Sequence, residues 1–252
     1  MTIDCSFNWQ EIRRIAGPCI RPGGIVLTER ALEVCNLHSG SRVADIGCGV
    51  GGTMEHLERT GVYHAVGLDH SEMLLGEAIP LLVAGHRLVR GLAETLPFKK
   101  DSFDALFCEC VLSIITERLT ALHEFARVLK QEGLLIVSDV FCQGSPKRGQ
   151  QETESQGFQT KGLLTKKDLL GTLARLGFSL LLWEEYQRLL QEFVARMILA
   201  GERLPDLWTC RQGLEGKNSN CPQISYFLLV ARKSGSVFQS VENKGDGTSW
   251  TT

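Results

Sequence analysis

The chain has 252 residues, 43% hydrophobic and 22% charged, with 27 Lys and Arg against 29 Asp and Glu. That is enough apolar material for one large core, and a formal net charge of -2 gives no basic field for nucleic acid or an acidic membrane. No apolar run reaches spanning length, residues 1–7 lack a basic-then-apolar leader, and nine scattered cysteines make a poor disulfide framework, so a cytoplasmic protein is expected.

Helical patterns at residues 9–15 and 29–36 precede the first strand. Between them lie Pro18 and Arg21-Pro-Gly-Gly24, which reads as a tight turn, and Thr28 reads as the cap of the second helix. Strand-like runs follow at 42–46, 64–69, 87–90, 104–110, 134–140, 179–183 and 224–232. Their alternation with helical patterns marks a parallel sheet covered by helices on both faces. Residues 117–130 set Leu119, Leu122, Phe125, Ala126 and Leu129 on one helical face, with Gly133 as the stop. Thr165 and Asp168 resemble a capping box ahead of an apolar stripe that ends at Gly177. Residues 186–200 repeat the pattern with Leu189, Leu190, Phe193, Val194, Met197 and Ile198, a core stripe that could also wall a cavity. The polar, Gly/Gln-rich residues 144–162 read as a loop or lid, and 235–252 as a disordered tail. The expected organisation is a helical extension over 1–40, one α/β domain over 41–234, and the tail.

The chemistry gathers at the strand ends. The first strand ends in Asp45 and runs into Gly47-Cys-Gly-Val-Gly-Gly52, a turn where backbone can come close to a nucleotide-like ligand. Gly47, Gly49 and Gly52 also satisfy the dinucleotide fingerprint G-x-G-x-x-G, so an NAD(P)-dependent oxidoreductase is the rival enzyme class. Asp45 speaks against it, because an acid there can face a cation but repels a pyrophosphate. Asp69 ends the second strand, where a carboxylate can accept two hydrogen bonds from a ribose diol, and Ser71 can cap the next helix. Glu109, beside the carboxyl end of the fourth strand, is the candidate general base or polar substrate contact, with a surface-facing structural role as the alternative. Cys108 and Cys110 read as lying on one face of that strand. Buried structural thiols are the common case at such spacing, metal-ligand spacing is missing elsewhere, and no metal is expected.

Taken together, the D-x-G-x-G-x-G loop at 45–51, Asp69, Ala93-Glu-Thr-Leu-Pro-Phe98, Ser102-Phe-Asp104 and Ala126-Arg-Val-Leu-Lys130 resemble the class I S-adenosylmethionine-dependent methyltransferases, in the small-molecule branch called methyltransferase type 11. The resemblance implies a Rossmann-like seven-stranded sheet of order 3-2-1-4-5-7-6, its last strand antiparallel, with S-adenosylmethionine as methyl donor and S-adenosylhomocysteine as product. It implies that Gly47, Cys48, Gly49 and Gly51 line the methionine moiety and that Asp45 and the Cys108 carbonyl meet its ammonium. By the same resemblance, Asp69 is expected to bind the ribose, His70 and Met73 to flank the adenine, and Ala93 to offer its N–H to the ring. Leu92 stands where relatives carry an Asp that accepts from the adenine amino group, which removes roughly 1 kcal/mol of binding. Ser113-Ile114 replaces a His-His pair common in relatives. The expected activity is methyl transfer to a small-molecule acceptor. A protein that binds the same cofactor without transferring methyl groups is the alternative.

Overall fold

The computed structural model describes residues 17, 19–62, 64–82, 87–143, 164–201 and 223–234. The helical pattern at 9–15, the loop at 144–162 and the tail at 235–252 lie outside the described residues.

The elements run α1 (Val26–Cys35), β1 (Arg42–Ile46), α2 (Gly52–Arg59), β2 (His64–Asp69), α3 (Glu72–Ala78), β3 (Arg87–Arg90), β4 (Phe103–Glu109), α4 (Arg118–Val128), β5 (Leu129–Gln143), α5 (Lys166–Arg175), β6 (Phe178–Glu185), α6 (Gln187–Leu199) and β7 (Gln223–Lys233). Seven strands make one sheet of order β3-β2-β1-β4-β5-β7-β6. β1 through β5 pair in parallel, and β7 runs antiparallel between β5 and β6. Among the described residues no helix is long and apolar enough to cross a membrane.

Strict alternation along the strands splits the core into two layers. On one face, Ala44, Ile46, Leu106, Cys108, Leu135, Val137 and Leu229 pack under Leu122 and Phe125 of α4 and Leu169 and Leu173 of α5. On the other, Val43, Ala105, Phe107, Ile136, Leu228 and Val230 meet Leu27 and Ala31 of α1, Met54 and Leu57 of α2, Leu75 of α3 and Leu190 of α6. Full burial of a side chain such as Leu27 or Leu122 is worth roughly 1.5–3 kcal/mol, so both layers are needed to hold the sheet.

Two local expectations are corrected. Gly133 does not end α4: the helix stops at Val128, and Leu129 goes directly into β5, paired with Phe103 and fully buried. Burial of Leu129 prevails over the helical stripe, and the turn falls at Glu132, whose φ is +60°. Thr28 does not cap α1, which begins two residues earlier with no side-chain cap, so its hydroxyl is free to serve elsewhere. The capping box at Thr165 is present, with Asp168 N–H donating to the Thr165 hydroxyl at 3.1 Å.

Candidate functional site

The strand order reverses between β1 and β4, and a crevice opens at the carboxyl ends of such strands. The turn after β1 is anchored to β2: the N–H groups of Gly47 and Cys48 both donate to the Leu68 carbonyl, at 2.7 and 3.1 Å, and Gly51 N–H donates to Cys48 at 2.8 Å. Gly47, Gly49 and Gly51 have φ of +77°, +52° and +83°, the left-handed region that disfavours side chains. At Gly47 a β-carbon would also overlap the Val111 side chain. The turn therefore has to be glycine where the loop after β4 crosses it.

Asp69 joins two crossovers. One carboxylate oxygen accepts from Gly49 N–H and the other from Ser71 N–H, both at 2.9 Å, and Ser71 in turn caps α3 by accepting from Leu74 N–H at 3.3 Å. Asp69 thus holds the glycine turn, and its Oδ1 also lies 3.5 Å from His70 Nδ1.

Asp45, 3% exposed, has no hydrogen-bond or ion-pair partner among the described residues. Burial raises its pKa, the Glu109 charge adds to this, and together with Asp69 they outweigh Arg21, pushing the carboxyl up to about 8. A buried carboxylate without a partner is costly, and a ligand cation relieves that cost.

Glu109 is buried, not surface-facing. Its Oε2 accepts from Arg21 Nη1 at 2.9 Å and from the Thr53 hydroxyl at 2.7 Å, and its Oε1 accepts from the Thr28 hydroxyl at 2.9 Å. Arg21 completes the network through Nη2 to Thr28 at 2.6 Å, Nη1 to Thr53 at 3.0 Å and Nε to the Gly24 carbonyl at 2.7 Å. Burial alone would lower the Arg21 pKa, but Glu109 overcomes it and the guanidinium stays charged. The Arg21-Pro-Gly-Gly24 turn is therefore more than a turn. It plugs a cation between α1, α2 and β4, and sequence reading missed it because the partner of Arg21 lies 88 positions away, beyond any local pattern.

The motifs read separately in the sequence are also joined in space. Arg127 of α4 donates to the carbonyls of Phe98 and Leu96, at 2.7 and 3.0 Å, while Glu124 accepts from Leu96 N–H at 2.8 Å. The stretch that follows Leu92 and Ala93 is thereby clamped to α4. Leu92 and Met73 are about half exposed and His70 is exposed, whereas Ala93 is buried. The loop after β4 is fixed by Ser113 N–H to Asp139 at 2.8 Å and by Arg118 to the Leu112 and Ser113 carbonyls at 3.0 and 3.1 Å.

Cys108 and Cys110 do not share a face. Cys108 is fully buried in the α4/α5 layer, but β4 ends at Glu109, and the φ of +57° at Cys110 turns its thiol to the opposite layer. There its sulfur lies 3.1 Å from the Tyr226 hydroxyl. Burial pushes the thiols of Cys19, Cys48, Cys108 and Cys110 upward, away from the reactive thiolate form. The arrangement sets a buried carboxylate at Asp45 and a second at Asp69 beside the glycine turn, with half-exposed Leu92 and Met73 on neighbouring segments. It is a place for binding and orientation.

Residues 44–137 match the family model described as "Methyltransferase domain". The uncharacterized methyltransferase YcgJ of Bacillus subtilis is 33% identical over 119 residues, covering 46% of this chain and 47% of that protein. The chain spans about half the length, or less, of the curated relatives it matches. Among solved structures, the [4+2]-cyclase SpnF superposes with a TM-score of 0.71 at 22% identity, covering 89% of this chain and 92% of that one. The Haemonchus contortus phosphoethanolamine N-methyltransferase 2, in complex with phosphomonomethylethanolamine and S-adenosylhomocysteine, does so at 0.69 and 18% identity, over 90% of this chain and 57% of that one. At those identities the structural likeness concerns the fold.

Proposed function

We infer that the protein, whose residues 44–137 match the family model described as "Methyltransferase domain", is a class I S-adenosylmethionine-dependent methyltransferase that binds its cofactor in the β1/β4 crevice and transfers the methyl group to a small molecule. The observation that carries this reading is the buried Asp45, unpartnered among the described residues, beside a backbone turn too tight for a side chain at Gly47. A diphosphate at that position would face an acid, whereas an aminocarboxylate brings an ammonium to it. The residues therefore fit the aminocarboxylate ligand better than a dinucleotide.

When bound, S-adenosylmethionine supplies a methyl group on a positively charged sulfur. In this reading Asp45 and the Cys108 carbonyl hold the ammonium, and the backbone of Gly47, Cys48, Gly49 and Gly51 surrounds the methionine portion. Asp69 binds the ribose, His70, Met73 and Leu92 border the adenine, and Ala93 presents its N–H to it. The chain's contribution is alignment and exclusion of water, an effect worth up to roughly 7–11 kcal/mol in well-oriented reactions. Glu109, with both oxygens committed to Arg21, Thr28 and Thr53, acts as a positioning residue that sets the turn and α1 together. The acceptor then has to bring its own nucleophilicity, as an amine, thiol or carbanion does.

Thermal unfolding in the presence of S-adenosylmethionine, S-adenosylhomocysteine or NAD tests the ligand. The first two, at about 100 times their Kd, add about 2.7 kcal/mol. Stabilisation by NAD alone overturns the reading. The commitment of both Glu109 oxygens favours a second reading, a protein that holds the cofactor without transferring methyl groups. Incubation with methyl-labelled cofactor and small-molecule extract separates the two, since only a transferase yields labelled product.

A further inference from the structure

We propose that Asp45 exchanges a proton for a cation when the ligand binds: its carboxyl group is protonated in the free protein near neutral pH and ionises as the ligand's ammonium docks beside it. This rests on the cofactor reading above and adds a proton to its binding equilibrium.

The geometry around Asp45 carries the argument. Its register neighbours are Gly67 in β2 and Phe107 in β4, neither of which offers a side-chain polar group. Among the described residues, the titratable groups that face it are Glu109 at the end of β4, Asp69 at the end of β2, Arg21 before α1, and the thiols of Cys19, Cys48 and Cys108. Arg21 is the only cation among them, and its guanidinium is committed to Glu109, Thr28, Thr53 and the Gly24 carbonyl. Asp69 is held by Gly49 and Ser71. Among the described residues, an ionised Asp45 in the free protein thus sits near two other carboxylates with no unspent positive charge, in a site where burial weakens solvent screening. Burial, then Glu109, moves its carboxyl up to about 8. The neutral acid is the form that suits the empty crevice.

The exchange balances simply. The O–H bond of Asp45 breaks, its electron pair stays on the carboxylate, and the proton goes to bulk water. The incoming ammonium arrives charged, replaces the proton as counter-charge and is chemically unchanged. Below pH 8 the free protein holds the proton and the complex does not, so affinity rises with pH, approaching tenfold per unit between pH 6 and 7 and levelling above 8.

Isothermal titration with S-adenosylhomocysteine at pH 7, in buffers of low and high ionisation enthalpy, measures the released proton directly. About one proton is expected per ligand bound, with Kd falling roughly tenfold from pH 6 to pH 7. 5′-Methylthioadenosine, which lacks the aminocarboxylate, should bind with no buffer-dependent enthalpy. Asp45→Asn should abolish the release seen with S-adenosylhomocysteine. Tight binding with a buffer-independent enthalpy and a flat pH profile overturns the exchange while leaving the cofactor reading standing. Undiminished release from Asp45→Asn, or equal release with methylthioadenosine, overturns it as well, since the proton then comes from another group. Failure of the wild-type protein to bind either S-adenosyl compound overturns both readings. The wild-type and methylthioadenosine series decide the matter even where the variant does not fold.

Discussion

Asp45 sets ligand binding against stability within one side chain. Burial, then the charge of Glu109, pushes its carboxyl in the folded protein up to about 8, above the ordinary carboxylate range. Between about pH 4 and 8 the folded chain therefore binds more protons than the unfolded chain, and stability falls as pH rises through that window. Asp45→Asn lacks this linkage. Its ligand-free melting temperature should gain on that of the wild type from pH 5 to pH 8, by about 2–4 °C per kcal/mol recovered, while its affinity for S-adenosylhomocysteine drops at least tenfold. Parallel melting curves across that range would remove Asp45 as the titrating group. Gly47→Ala tests the turn in the same way. An added β-carbon at φ +77° and against Val111 should cost about 1–3 kcal/mol in denaturant unfolding and abolish ligand-induced stabilisation.

At the scale of elements, the buried Arg21–Glu109 pair is what fastens α1 and its preceding turn to the sheet. Glu109→Ala leaves a guanidinium buried without its counter-charge, and the expected loss is about 3–5 kcal/mol by chemical denaturation. Pairing it with Arg21→Met should recover much of that loss, and strict additivity of the two substitutions would deny the coupling. By contrast the bidentate contact of Arg30 with Glu184 lies open to solvent, which screens it, and it contributes little to stability. Such pairings mark the limit of what the sequence shows. β1, β2 and β3 have the bounds that alternation and turn residues predict, and the glycine turn with Asp69 is legible because its parts are local. Arg21 and Thr28 are not legible, since their partner belongs to a strand far along the chain. The Cys108–Cys110 face is misread because period-two reasoning holds only inside a strand, and β4 ends between them.

For the whole molecule, the sheet order predicts where stability concentrates. β1, β4, β5 and β7 are flanked by strands on both sides and covered on both faces, whereas β3 pairs only with β2 and its residues are at most half-buried. Amide exchange should be slowest at Val43–Ile46, Ala105–Cys108, 134–140 and 226–230, and fast at β3, whose opening costs only a fraction of the global free energy. Uniform protection across all seven strands would contradict this hierarchy. Ligand should slow exchange most at Gly47–Gly51 and Asp69–Ser71, the two segments that the Asp69 carboxylate already ties together.

The insertion of β7 between β5 and β6 also has a meaning for the chain as it is synthesised. β6 makes its sheet contacts through β7, so Phe178–Glu185 emerges from the ribosome with no strand to join and the edge of β5 beside it stays open. At about 5–20 residues per second, that interval lasts about 2–10 s before Lys233 has followed it out of the ribosome. During it the nascent protein exposes Leu180, Leu182 and Trp183 next to an unpaired edge. A stalled or prematurely terminated product ending before Gln223 is therefore a substrate for chaperones and proteases, while the amino-terminal half around the glycine turn is already complete.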